Sequence, residues 1–168
     1  CNICLDTAWY GPARCLVNPA GGRENEFAIV PSEKAKRVVV VGGGPGGMMA
    51  AKIAALKNHH VILYEQAESL GGIAAIGDIA PGKLEYRWLY QDLAKQVQSN
   101  PNIELRIGTA ATAKLIESDS PDAVVVASGG TPLFPDLPGG QSSPVPVCHA
   151  HDVLSRNIDG PIGNNVVI

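Results

Sequence analysis

Arg37-Val38-Val39-Val40-Val41 runs directly into Gly42-Gly43-Gly44-Pro45-Gly46-Gly47, a junction that admits little besides a strand turning sharply into a helix. A β-branched run bounded by glycine marks a strand buried on both faces. After the glycines, Met48 to Lys57 is rich in helix formers with small side chains, as a helix lying close on a sheet requires. Asn58-His59-His60 ends that helix, and Val61-Ile62-Leu63-Tyr64-Glu65 reads as a second strand. The whole is a βαβ unit of about 30 residues, expected to cross over right-handed.

Each part of the pattern Gly42-x-Gly44-x-x-Gly47 has a task. Gly42 permits the tight turn, Gly44 lets the backbone approach a pyrophosphate, and Gly47 lets helix and strand pack closely. The helix start, with Pro45 and Gly46, offers free N–H groups and a partial positive charge to phosphates. Glu65, ending the second strand, would accept hydrogen bonds from an adenosine ribose, and Gln66 beside it is counted with the site. A 2′-phosphate would meet the Glu65 carboxylate badly, which disfavours NADP here. Leu70-Gly71-Gly72 follows closely, where a backbone free of Cβ atoms could let a ribityl-pyrophosphate chain pass. A later strand opens on Ala127-Ser128-Gly129-Gly130, and carboxyl ends of parallel strands are where nucleotides sit. These features move the expected ligand from any dinucleotide towards FAD.

Elsewhere the pattern is plainer. Lys83 to Gln98 carries Leu84, Trp88, Leu89, Leu93 and Val97 in a helical stripe. Ile103 to Ile107 reads as a third parallel strand, Thr112 to Ile116 as a short strand, and Asp122 to Ala127 as another buried strand. Residues 131–146, dense in proline and glycine, read as an irregular loop. Residues 1–30 show neither helical nor alternating period and read as a loop segment, with 31–36 a polar connector. The expected class is α/β: a three-layer Rossmann-like FAD/NAD(P)-binding fold with a central parallel sheet, preceded by a cysteine-rich loop segment.

Hydrophobic residues make up 45% and charged residues 17% of the 168, as in a folded globular protein. A net charge of −3 provides no electrostatic footprint for nucleic acid or a membrane surface. Apolar runs are too short for a bilayer span and no signal peptide is visible, so a cytoplasmic protein is expected. The only methionines are Met48 and Met49, and Val166-Val167-Ile168 resembles the opening of a further strand. The chain is therefore expected to be a piece truncated at both ends: residues 1–30 and 31–160 as two units, and 161–168 beginning another.

Cys1-x-x-Cys4 followed by Cys15 places three thiols in one loop-rich stretch, a spacing that suits one metal centre. A zinc knuckle, a disulfide and unligated thiols are the alternatives. Cys148 stands apart and reads as incidental, and His59, His60, His149 and His151 read as solvated polar residues.

Taken together, Cys1-Asn2-Ile3-Cys4, Cys15-Leu16-Val17-Asn18-Pro19, Gly22-Arg23-Glu24, the glycine turn, Leu70-Gly71-Gly72, Pro81-Gly82-Lys83-Leu84-Glu85 and Asp152-Val153-Leu154 resemble a known family. It is the C-terminal part of bacterial 2,4-dienoyl-CoA reductase and trimethylamine dehydrogenase, multidomain members of the old yellow enzyme group. The resemblance implies an FMN-bearing barrel upstream, then a [4Fe-4S] cluster for which Cys1, Cys4 and Cys15 are the second, third and fourth ligands. It further implies an FAD- or ADP-binding domain here and an inserted NAD(P)H-binding domain beginning near Val166. In such proteins a hydride from NAD(P)H reduces the FAD, the cluster passes electrons singly to FMN, and an enoyl-type substrate is reduced in the barrel, which would also hold the proton donor. The partners implied are the chain's own barrel and NAD(P)H-binding domains, in a protein that could be oligomeric. Two alternatives stand beside this: an ADP-holding module without a redox role, as in trimethylamine dehydrogenase-like relatives, and the small subunit of a glutamate synthase-like enzyme.

Overall fold

A computed structural model describes residues 3–136, 138–139, 143–156, 158 and 163–167. The elements in chain order are α1 (Ile3–Tyr10), β1 (Arg37–Val41), α2 (Pro45–Leu56), β2 (His60–Tyr64), α3 (Ile73–Gly77), α4 (Glu85–Gln98), β3 (Ile103–Arg106), α5 (Ala113–Ser118), β4 (Ala123–Val126) and α6 (Ala150–Leu154). The four strands form one parallel sheet in the order β3-β2-β1-β4. The α/β class with a central parallel sheet is thus the observed one.

The valine run of β1 takes the central position its composition calls for, with Val38, Val39 and Val40 all buried. One sheet face presents Val38, Val40, Val61 and Leu63 to α2 and α4, where Met48, Ala51, Ala55, Leu93 and Val97 complete the core. Alanines at the contact let α2 lie close on the strands. The stripe expected along α4 holds from Leu89 onward, through Leu93 and Val97. Trp88 and Leu84 are exposed, because the first turns of α4 lean over α3 and turn Arg87 and Tyr90 towards it instead.

The opposite face carries Val39, Ile62 and Tyr64, packed against Ala111, Leu115 and Ile116 around the short helix α5. Here the expected strand at Thr112 to Ile116 is corrected. Thr112 is the N-cap of α5, its hydroxyl accepting the Leu115 N–H at 3.2 Å, and the apolar pair Leu115-Ile116 lies on the inner side of a helix. Residues 1–30 are also corrected in part: α1 occupies Ile3–Tyr10, then irregular turns follow. No residue of α1 is buried. A helix with no core-facing stripe leaves no periodic signal to read.

A charged network fastens α5 to the sheet. The Tyr64 hydroxyl donates to Asp119 Oδ2 at 2.6 Å, and Arg106 Nη1 reaches both Asp119 oxygens at 3.0 Å and the Tyr64 hydroxyl. The hydrogen bond from Tyr64, with the Arg106 guanidinium, holds the Asp119 carboxyl below the usual carboxylate range, while burial pushes the Tyr64 hydroxyl up. A depressed folded-state pKa gives stability that is complete above the unfolded carboxylate range and is lost as pH falls through it. Replacement of Asp119 by Asn is therefore expected to flatten the fall in stability below about pH 4, by at most about 1.4 kcal/mol per pH unit. Denaturant titrations across that range would show it, and an unchanged slope would place the acid sensitivity elsewhere.

Candidate functional site

Carboxyl ends of β1, β2 and β4 meet at one edge of the sheet. The chain leaves β1 towards β2 on one side, while β4 pairs on the other, so β1 marks the switch point where ligands of open α/β sheets bind. The residues expected at the site, from Gly42 to Gly47, at Glu65, at Gly71 and Gly72, and from Ala127 to Gly129, all flank this edge.

Gly42 has φ +109°, and a Cβ there would run into the Ala127 carbonyl, so turn and β4 end are in backbone contact. A Cβ at Gly47 would run into the Gly42 carbonyl oxygen, so α2 and the turn meet closely there. Gly44 is the N-cap of α2 and supplies no side-chain cap, while Pro45 has no N–H to satisfy. Met48 N–H donates to the Gly44 carbonyl at 2.9 Å, so the helix ladder begins there. The N–H groups of Gly46 and Gly47 consequently have no partner inside the helix and carry its positive dipole end.

Glu65 is 8% exposed, immediately after β2. Its Oε2 accepts the Gly43 N–H at 2.6 Å and its Oε1 accepts the Ala67 N–H at 2.8 Å. The carboxylate thus ties the phosphate turn to the end of β2. Two acceptor positions remain, the number a ribose diol could use. Gln66 is exposed beside it. The link from Glu65 to the turn joins residues 22 apart, so it forms only once β1 and β2 are paired.

The second glycine pair folds back on the first. Gly71 N–H donates to the Gly43 carbonyl at 2.9 Å, and a Cβ at Gly72 would lie 3.0 Å from Gly44 Cα. Gly71 and Gly72 have φ of +127° and +52°, so the approach needs glycine on conformational grounds as well. Beyond the helix start a Cβ at Gly46 would meet nothing within 4 Å. A sheet edge of bare glycine backbone, with the α2 start on one side and the buried Glu65 carboxylate beside it, fits a nucleotide pyrophosphate and ribose. Ser128 and Gly129 are exposed at its β4 side.

Cys4 is exposed and Cys15 half-buried, both as free thiols, and Cys15 Sγ accepts the Asn18 N–H at 3.3 Å. Cys1 lies outside the described residues. Among the described residues no three His, Cys, Asp or Glu side chains converge as a metal site. Cys148 is exposed, and none of the described helices is long and apolar enough to cross a membrane.

Residues 37–126, from β1 through β4, match the family of FAD-dependent oxidoreductases. The chain belongs to that family. It is 40% identical to an NADH oxidase of Thermoanaerobacter brockii over 92% of its own length and 24% of that protein's. It is 37% identical to a bilirubin reductase of Mediterraneibacter gnavus over 92% of its length and 23% of that protein's. Among solved structures, a complex of 2-naphthoyl-CoA reductase with 2-naphthoyl-CoA superposes with a TM-score of 0.82 at 33% identity. That match covers 89% of this chain and 22% of the reductase chain. The chain thus spans about a quarter of the length of the curated relatives it matches. These matches bear out the resemblance read from the motifs: an FAD-dependent oxidoreductase domain on a Rossmann-like sheet.

Proposed function

We propose that this chain is the FAD-binding electron-transfer unit of an NAD(P)H-dependent reductase, placed between a nicotinamide donor and an iron-sulfur cluster that serves FMN in a separate barrel. The observation that carries the FAD site is the start of α2 at Gly44, which has no side-chain cap and against which the Gly72 backbone packs. When bound, FAD would accept two electrons as a hydride and release them one at a time, which suits a junction between a nicotinamide and a one-electron carrier. The residues of this chain bind and orient. Gly46 and Gly47 offer N–H groups to the pyrophosphate, Glu65 accepts from the ribose, and Gly44 with Gly72 keep side chains away from the phosphate turn.

Cys1, Cys4 and Cys15 would hold the [4Fe-4S] cluster together with one further ligand. The Asn18 N–H on Cys15 Sγ supports this, since such bonds stabilise a thiolate and raise the potential of a cluster it ligates. Likeness to an NADH oxidase supports the nicotinamide donor, and likeness to a 2-naphthoyl-CoA reductase supports a conjugated, enoyl-type substrate.

In the full-length protein, iron and acid-labile sulfide in equal amounts are expected together with both FAD and FMN. Exchange of Cys15 for Ser should remove the iron and leave FAD in place. Protein free of iron would rule out the cluster, and FMN accompanied by ADP without FAD would favour the non-redox nucleotide module.

A further inference from the structure

One buried carboxylate takes no part in the site as described so far. Asp78 is the C-cap of α3, and its side chain is 3% exposed. It accepts from Arg87 Nε at 2.9 Å and from the Tyr90 hydroxyl at 2.7 Å, both on α4. Hydrogen bonding to Arg87 holds the Asp78 carboxyl below the usual carboxylate range. A trio this well satisfied fixes one end of α3.

The other end of α3 is Gly72, its N-cap, the residue that closes on Gly44. The two ends are only six residues apart. Tyr90 serves both, because its hydroxyl holds Asp78 while its ring lies against Gly71, where a Cβ would come within 2.8 Å of Cδ2. The Gly71-Gly72 backbone is therefore gripped between the phosphate turn, through the Gly71 N–H to Gly43 carbonyl bond, and the face of α4. Ala75 of α3 lies against Gly71 as well, where a Cβ would come within 2.9 Å of its own.

We infer that Asp78, Arg87 and Tyr90 are positioning residues for the nucleotide site, setting how the Gly71-Gly72 backbone seats against the phosphate turn at Gly43 and Gly44. They act through Tyr90 on Gly71 and through α3 on Gly72. The inference rests on the FAD reading of that turn. It assigns the trio a ligand-specific effect, because the adenosine half meets Glu65 and β2, whereas the diphosphate and the chain beyond it lie along the start of α2, which Gly72 abuts.

The test compares FAD with AMP, which shares the adenosine but lacks the diphosphate, by equilibrium titration of full-length protein stripped of nucleotide. Two variants are used: Asp78→Asn, which keeps the shape and removes the charge, and Tyr90→Phe, which keeps the ring on Gly71 and removes only the hydroxyl. Loss of a hydrogen bond to a charged partner corresponds to about a tenfold effect. Expected are about tenfold weaker FAD binding in Asp78→Asn, a smaller loss in Tyr90→Phe, and AMP binding unchanged in both. The visible circular dichroism of the remaining bound FAD should shift, reporting altered placement. Equal losses for FAD and AMP, or unchanged FAD binding in both variants, would overturn the inference. If the unaltered protein bound no FAD, the FAD reading itself would fall instead.

Discussion

Gly47→Ala is expected to abolish FAD binding and to cost about 3 kcal/mol of fold stability, the upper end for overpacking at a close contact. The added Cβ would run into the Gly42 carbonyl oxygen. Relief requires α2 to move away from the turn. That motion would take the Gly46 and Gly47 N–H groups with it and open the contact between the turn and Ala127. The neighbouring substitution is the control. A Cβ at Gly46 meets nothing within 4 Å, and alanine is the better helix former, so Gly46→Ala should leave stability unchanged or raise it by about 0.5 kcal/mol. Chemical denaturation of both variants separates the cases. A Gly47→Ala protein as stable as the parent would mean that α2 does not sit on the turn as described.

Glu65→Ala comes next in size. The carboxylate accepts two backbone N–H bonds at 2.6 and 2.8 Å from a buried position, and truncation leaves the Gly43 N–H without its partner. A hydrogen bond to a charged group is worth about 1.5–3 kcal/mol, so a stability loss of about 3 kcal/mol is expected for the pair. FAD affinity should fall by about a hundredfold, because the ribose acceptor and the tether of the phosphate turn disappear together. Glu65→Gln discriminates further. The amide can keep one acceptor bond but must turn a donor towards the other N–H, so it should fold yet bind FAD weakly. The same change removes the negative charge that a 2′-phosphate would meet. The preference for ADP over its 2′-phosphorylated form, measured by competition, should therefore narrow in Glu65→Gln.

The parts of this fold that were legible share one property: their signal is local. The valine run, the glycine spacing and the β2 strand lie within 29 residues of one another, and each predicts its neighbour. The parts that were missed are set by contacts across the fold. Nothing in Gly77-Asp78-Ile79 announces a buried carboxylate, since its partners Arg87 and Tyr90 lie 9 and 12 residues away on another helix. The short helix α5 was misread because its inner residues form a brief apolar run that suits a strand equally well, and Thr112 was the available clue to a helix start. The helical spacing puts Trp88 in the apolar stripe of α4, yet it is 68% exposed, because the first turns of α4 set Arg87 and Tyr90 against α3. Glu65 was placed correctly at the strand end, but its hold on Gly43 emerges only once β1 and β2 are in register.

The proposed FAD site depends above all on the start of α2 receiving the pyrophosphate. Hydrogen–deuterium exchange of full-length protein stripped of nucleotide, followed by mass spectrometry of peptides covering residues 42–49, measures those amides directly. Saturating FAD should slow exchange in these peptides, and FMN, which carries no dinucleotide pyrophosphate, should leave them unchanged. Saturable FAD binding with exchange at residues 42–49 unaltered would contradict the placement.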